Sequence, residues 1–189
     1  MIKWIVLGVV IVLVIFLIGW FIGVYNKLVK ARNRVKNSWS QIDVQLKRRF
    51  DLIPNLVETT KGYAKHEKDI FEQFAKARDV YAQASDKNDI AGMSQANGML
   101  GSALSRLIAV SEAYPELKAN ANFANLMSEL SATEDKIAYT RQFYNDVVTT
   151  YNNLREVFPS SIVAGMFNFK EAELFKIDEA SKENVKVQF

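Results

Sequence analysis

The hydrophobic pattern changes character three times along the chain. From Trp4 to Tyr25 it is unbroken, 22 residues without one charged side chain. At about 1.5 Å of rise per residue, such a helix is roughly 33 Å long, enough to cross a hydrocarbon core of about 30 Å. The run is too long for the apolar core of a signal peptide, and around Gly19 to Tyr25 no small-residue cleavage site interrupts it. Trp4, Trp20 and Tyr25 lie near its two ends, where amphipathic rings favour the membrane interface. The stretch therefore predicts a retained transmembrane anchor.

Beyond Tyr25 the pattern becomes periodic. Leu28, Val35 and Ile42 recur every seven residues, as do Trp39, Leu46 and Ile53, which marks one coiled-coil-like apolar seam on a long helix. The spacing predicts that the membrane helix continues directly into this one. Pro54 is expected to kink it or mark a restart, because an interior proline removes an amide donor and clashes with the preceding turn. Gly62 and the polar cluster from Lys65 to Asp69 predict a break.

Three more helical stretches follow. Ile70, Phe74, Ala77 and Tyr81 share one face of a segment near Asp69 to Ala84, closed by the turn at Ser85 to Asn88. Met93, Leu100, Leu104 and Leu107 stripe the next, which Pro115 closes near Ala113. In the last, Phe123, Leu130, Ile137, Tyr144, Tyr151 and Phe158 stand at strict seven-residue spacing, and Pro159 ends the run. Strand-type alternation is absent. The expected fold is all-α: one N-terminal transmembrane helix continuing into an elongated antiparallel four-helix bundle. The expected parts are an anchor over 1–26, a long-helical bundle over 27–158 and an apolar C-terminal tail over 159–189.

Charge gives the anchor a direction. Only Lys3 precedes the span, whereas eight basic residues and one acidic occupy 26–50, and residues 51–189 carry 15 basic against 20 acidic. Basic residues near a span are retained in the cytoplasm, so the N-terminus is expected outside and the bundle inside, on a cell membrane crossed once. Lys27, Lys30, Arg32, Arg34 and Lys36 form a basic collar placed to meet anionic lipid headgroups, each worth about 1 kcal/mol near the surface. The run lacks interleaved stacking aromatics, so nucleic acid is not an expected partner.

Few side chains carry chemistry. Cysteine is absent, which removes disulfides, thiolate metal sites and cysteine nucleophiles. The one histidine, His66, lies in the polar stretch KHEKD and reads as a solvated helix-end residue. No Glu-x-x-His pair of a diiron bundle, phosphate-binding glycine loop, G-x-S-x-G elbow or H-E-x-x-H pair occurs. No enzyme, metal or cofactor is expected. Arg49 falls on the Leu28 register, and Glu134 and Arg141 fall near the last seam. Charges there need partners, so a buried polar pairing that fixes helix register, or side chains that snorkel out at the seam's edge, is the main expectation, with a polar ligand site as the alternative.

Three runs carry a family resemblance. YNKLVKARNRVKNSWSQIDVQLKRRFDLIPNLVETTKGYAKHE from Tyr25, YPELKANANFANLMSELSATEDKIAYTRQFYNDVVTTYN from Tyr114 and FPSSIVAGMFNFKEAELF from Phe158 together resemble the LemA family of bacterial membrane proteins. Departures are small: Asp135 stands where the family pattern often has Asn, and Ser38 where Ala is common. The resemblance implies a single-pass protein with an outside N-terminus and a long-helical cytoplasmic domain. It implies no established activity and carries no catalytic residues.

Gly19 and Gly23 form a small-xxx-small pair that lets membrane helices approach closely. In the tail, Ile162, Val163, Met166, Phe167 and Phe169 are too short a run to cross a bilayer. They are expected to dock on the bundle, with a neighbouring subunit or the membrane interface as alternatives. The leading functional expectation is a scaffold or adaptor that homo-oligomerises, presents its bundle to other membrane proteins and organises the bilayer. The alternative is an accessory or sensor subunit that recruits or regulates a membrane enzyme or signalling system.

Overall fold

The computed structural model of the 189-residue chain describes residues 1–64 and 67–176. These form seven helices and no strand: α1 (Ile2–Asp51), α2 (Ile53–Lys61), α3 (Lys68–Asp86), α4 (Ile90–Ala113), α5 (Pro115–Lys118), α6 (Ala121–Glu156) and α7 (Ser160–Met166). His66 lies outside the described residues, as do Lys65 and the end of the tail beyond Lys176.

The apolar run and the first seam are one helix. α1 is 50 residues long, about 75 Å at helical rise. Its apolar stretch is long enough to cross a membrane, and no residue of its most apolar window is buried against the protein. Burial begins at Leu28 and recurs at Val35, Ser38, Ile42, Leu46, Arg49 and Phe50, the face that the seven-residue spacing predicts. Leu52 keeps helical dihedrals between α1 and α2, and Pro54 lies in the first turn of α2, where its missing amide has no intrahelical acceptor to lose. Pro54 therefore restarts the helix. Gly62 ends α2, at the predicted break.

The three segments beyond the expected four are α2, α5 and α7. Each is short and has a proline at its start, with Pro54 in the first turn of α2, Pro115 opening α5 and Pro159 preceding α7. Proline fixes the φ angle that a first helical turn uses, so it restarts a helix as readily as it stops one. The cap chemistry is local: Asp89 Oδ1 accepts from the Gly92 amide at 3.0 Å to open α4, and Asn120 Oδ1 accepts from the Phe123 amide at 3.1 Å to open α6. Gly92 is required by space, because a Cβ there would meet Asp89 Oδ2 at 2.6 Å and Ala84 Cβ at 2.9 Å.

Two compact units emerge, and both draw on α1 and α6. One comprises Met1–Trp39 with Phe143–Glu173, and the other Ser40–Gln142 with residues from Leu174 on. In the first, Leu28 and Val35 of α1 are buried, as are Tyr144, Val147, Val148 and Tyr151 of α6, Val163 and Ala164 of α7, and Phe169. Trp39 packs on Tyr144 with ring centroids 5.4 Å apart. In the second, α3 packs on α4, with Ile70, Phe74, Ala77 and Tyr81 buried on the former and Met93, Leu100, Leu104 and Leu107 on the latter. Phe50 and Tyr81 stack at 4.1 Å and 10°, and Phe123, Leu130 and Ile137 complete the core.

One seam residue departs from the expectation. Phe158 is 80% exposed and not buried, because α6 ends at Glu156 and the chain leaves the helical register before reaching it. The Phe158–Pro159 peptide is cis.

Candidate functional site

Three sets of side chains are the candidates for function, and each arises from a different part of the pattern. On the span, Gly19 and Gly23 are four residues apart, hence on one helix face, and a Cβ at either would meet no atom within 4 Å. Immediately after the span, Lys27, Lys30, Arg32, Arg34 and Lys36 are all exposed on α1. The Arg32 guanidinium lies over the Phe169 ring, 5.1 Å from its centroid, a cation–π distance.

The second set is the polar cluster in the seam. Arg49 is brought inward by its place on the Leu28, Val35, Ile42 register, and its side chain is only 5% exposed. Its Nη1 lies 2.6 Å from Glu134 Oε2 of α6, whose side chain is 44% exposed. The same Nη1 donates a hydrogen bond to Asn97 Oδ1 of α4. Three helices are thus tied at one guanidinium. Burial pushes the Arg49 guanidinium below its ordinary value, and the Glu134 carboxylate opposes that shift. The Arg49 Nε is buried with no partner. Arg141 is half-buried and does not join the cluster. Asn97 is the member that the sequence reading missed. Its signal was one amide among the Met93, Ala96, Leu100 and Ala103 positions of α4, all of which are buried.

The third set holds the tail. Tyr144 Oη donates to the Glu173 carbonyl at 2.7 Å, and Tyr151 Oη donates to the Lys170 carbonyl at 2.7 Å. Asn152 clamps Ala172 from both sides, donating through Nδ2 to its carbonyl at 2.9 Å and accepting from its amide at 3.0 Å. Arg155 reaches Glu171 at 3.3 Å. These groups replace the regular backbone bonds that an irregular segment lacks, so the stretch 170–173 is held by side chains of α6. Burial pushes the Tyr144 hydroxyl up to about 12, helped by Glu173, and burial raises Tyr151 as well. The signal for these hooks was the choice of Tyr over Phe at two seam positions.

Of the apolar tail residues, Val163 and Phe169 are buried, whereas Ile162, Met166 and Phe167 are exposed. Phe167 nevertheless touches α1: its ring centroid is 4.7 Å from that of Tyr25 and 5.9 Å from that of Phe21. Phe169 also reaches Tyr25, at 5.9 Å. The tail through Glu173 is therefore docked on its own α1 and α6. Phe175, further on, is buried in the other unit, where Ser94 Oγ donates to the Lys176 carbonyl.

Elsewhere the side chains are sparse in chemistry. Among the described residues, no three of His, Cys, Asp and Glu stand close enough to hold a metal ion together.

The comparisons with known proteins agree on kinship. A family model described as the LemA family matches residues 38–189. The chain is 30% identical over 175 residues to magnetosome protein MamQ 2 of Paramagnetospirillum magneticum, covering 80% of this chain and 64% of that one. It is 28% identical over 174 residues to magnetosome protein MamQ of Magnetospirillum gryphiswaldense, with the same coverage. The chain thus spans slightly less than two thirds of these magnetosome relatives. Protein LemA of Metamycoplasma hominis is 26% identical over 166 residues, covering 87% of this chain and 74% of that one. With a matched region covering most of its length and one apolar N-terminal helix that points to membrane anchoring, the chain belongs to the LemA family.

Proposed function

We propose that this protein is a membrane-anchored helical scaffold or adaptor that self-associates and presents its helical body to partner membrane proteins. The observation that carries the reading is the continuity of α1: a membrane-length apolar run and a buried seam share one 50-residue helix. A helix with no break between anchor and body transmits position and orientation rigidly. A flexible tether would not.

The finer architecture belongs to the same reading. The long helices α1, α3, α4 and α6 are arranged as an antiparallel four-helix bundle, as their short polar connections favour. The protein crosses the membrane once with its N-terminus outside, following the basic collar. The collar contacts anionic headgroups, and the Gly19, Gly23 face, with open space around both glycines, is where spans of neighbouring copies meet. The magnetosome relatives carry names that denote no reaction, in keeping with a structural role and not a catalytic one.

In-cell cross-linking tests the self-association. The wild-type chain is expected to give a ladder of homo-oligomers, and Gly19→Leu with Gly23→Leu to shorten it. Absence of any ladder in the wild type would contradict the scaffold reading and favour an accessory subunit bound to other proteins.

A further inference from the structure

Four large apolar side chains near the end of α6 are largely exposed. Phe158 is 80% exposed, Ile162 52%, Met166 67% and Phe167 48%. Ile162 and Met166 are four residues apart on α7 and so share one face, while Val163 and Ala164 of the same helix are buried. The helix is held on one side and bare on the other. Exposed apolar side chains gathered on one helix face mark a candidate contact surface.

The ring contacts give the height of this cluster along α1. Phe167 lies against Phe21 and Tyr25, which are the last aromatic residues of the uncharged span. Two residues on, Phe169 lies against Tyr25 and under Arg32. The chain from 167 to 169 thus climbs from the end of the span into the basic collar. Phe21 and Tyr25 are one helical turn apart, about 6 Å along the axis, and the first cation after them is Lys27. A side chain packed on that turn stands at the boundary between hydrocarbon and headgroups. Such a boundary accepts apolar faces buried to a depth of roughly 5–10 Å.

We infer that α7 and the residue before its proline, with Phe158, Ile162, Met166 and Phe167 as the contact face, form a second membrane element that seats in the lipid interface beside the span. The occupant of the bare face is lipid. The contact of Phe167 with the span places the face at lipid level, and the exposed cations of the collar stand next to it, where anionic headgroups would be. The clamps on residues 170–173 then act as struts that keep α7 at that depth. The inference rests on the anchoring part of the proposed function and not on self-association.

The absence of cysteine makes the test direct. Full-length chains carrying Ile162→Cys or Met166→Cys are labelled with a nitroxide and reconstituted in vesicles of phosphatidylcholine and phosphatidylglycerol. Collision rates with oxygen, which partitions into lipid, are compared with those of a water-soluble nickel chelate. Leu13→Cys within the span and Lys87→Cys at the exposed end of α3 set the two limits. Labels at 162 and 166 are expected to collide with oxygen nearly as often as the span label and with nickel severalfold less often than the Lys87 label. Nickel collisions equal to those at Lys87 would overturn the inference. So would labels shielded from both reagents, since that pattern means protein cover by a second copy. A Leu13 label open to nickel would overturn the anchoring itself, and so separates the failure of that reading from the failure of this one.

Discussion

Two halves of α6 meet the same problem, a polar group on a buried seam, and solve it differently. In the first half the seam runs through Phe123, Leu130 and Ile137, and the polar intrusion is ionic: Glu134 pairs with the buried Arg49. In the second half the seam is aromatic, and neutral Tyr144 and Tyr151 hydroxyls donate to backbone carbonyls of the tail. An ion pair needs a partner at one place and so fixes the register of rigid helices. A hydroxyl needs only an acceptor, and it tethers an irregular segment that has carbonyls to spare. The ionic half therefore specifies which helices meet, and the aromatic half specifies where the tail lies.

Breaking the ionic half should have the largest effect. Arg49→Ala leaves Asn97 and Glu134 without their shared donor, and Glu134→Ala leaves a buried guanidinium with one partner, so either is expected to lower stability by about 3 kcal/mol. Thermal unfolding followed by loss of helical circular dichroism reads it. The double change Arg49→Met with Glu134→Leu should recover only part of the loss, since it removes the ion pair but still leaves the buried Asn97 without its donor. If Glu134→Ala left stability intact while removing a cellular function, the cluster would be a ligand site instead of a register lock.

Alkaline pH should strike next. Tyr81 and Tyr144 are each pushed up to about 12, mainly by burial. Between the ordinary value near 10 and about 12, the unfolded chain ionises these hydroxyls while the folded chain keeps their protons. The folded state then holds more protons than the unfolded one. Stability is full below about pH 10 and falls as pH rises toward 12. Unfolding temperature measured from pH 8 to 12 is expected to drop across that window, and less steeply in Tyr144→Phe.

The aromatic half is tuned in smaller steps. Tyr144→Phe or Tyr151→Phe removes one hydrogen bond to the tail, about 1 kcal/mol each, and should raise the rate at which protease cuts near residues 170–173 without altering the Arg49 cluster. Asn152→Ala removes both bonds to Ala172 and should act in the same direction. Smallest of all is Arg48→Ala. Its pairing with Glu129 spans 3.8 Å between two half-exposed side chains, and a change below about 0.5 kcal/mol is expected.

Much of this was legible in the chain. The span, the break at Gly62 and the buried faces of α3 and α4 follow from charge and from three- to seven-residue spacing, because an isolated helix face is a local property. Arg49 announced itself as a charge on an apolar register. Its partner Asn97 did not, since the meeting of α1 and α4 is tertiary and a single amide on a small-residue helix has no local signature. The fate of the tail was also hidden. Val163, Phe167 and Phe169 read as one apolar run, yet Val163 and Phe169 are buried and Phe167 remains half open against Tyr25. Phe158 kept the seven-residue spacing after its helix had ended, so periodicity alone placed it in a core it does not enter.

The scaffold account turns on whether copies of this chain meet in the bilayer. Extracting the full-length protein directly from its membranes in native lipid discs, and weighing single particles by mass spectrometry or mass photometry, tests that most directly. The account predicts discs holding several copies in a narrow distribution, reduced by Gly19→Leu with Gly23→Leu. Discs that hold one copy each, at native abundance and without detergent, would contradict it.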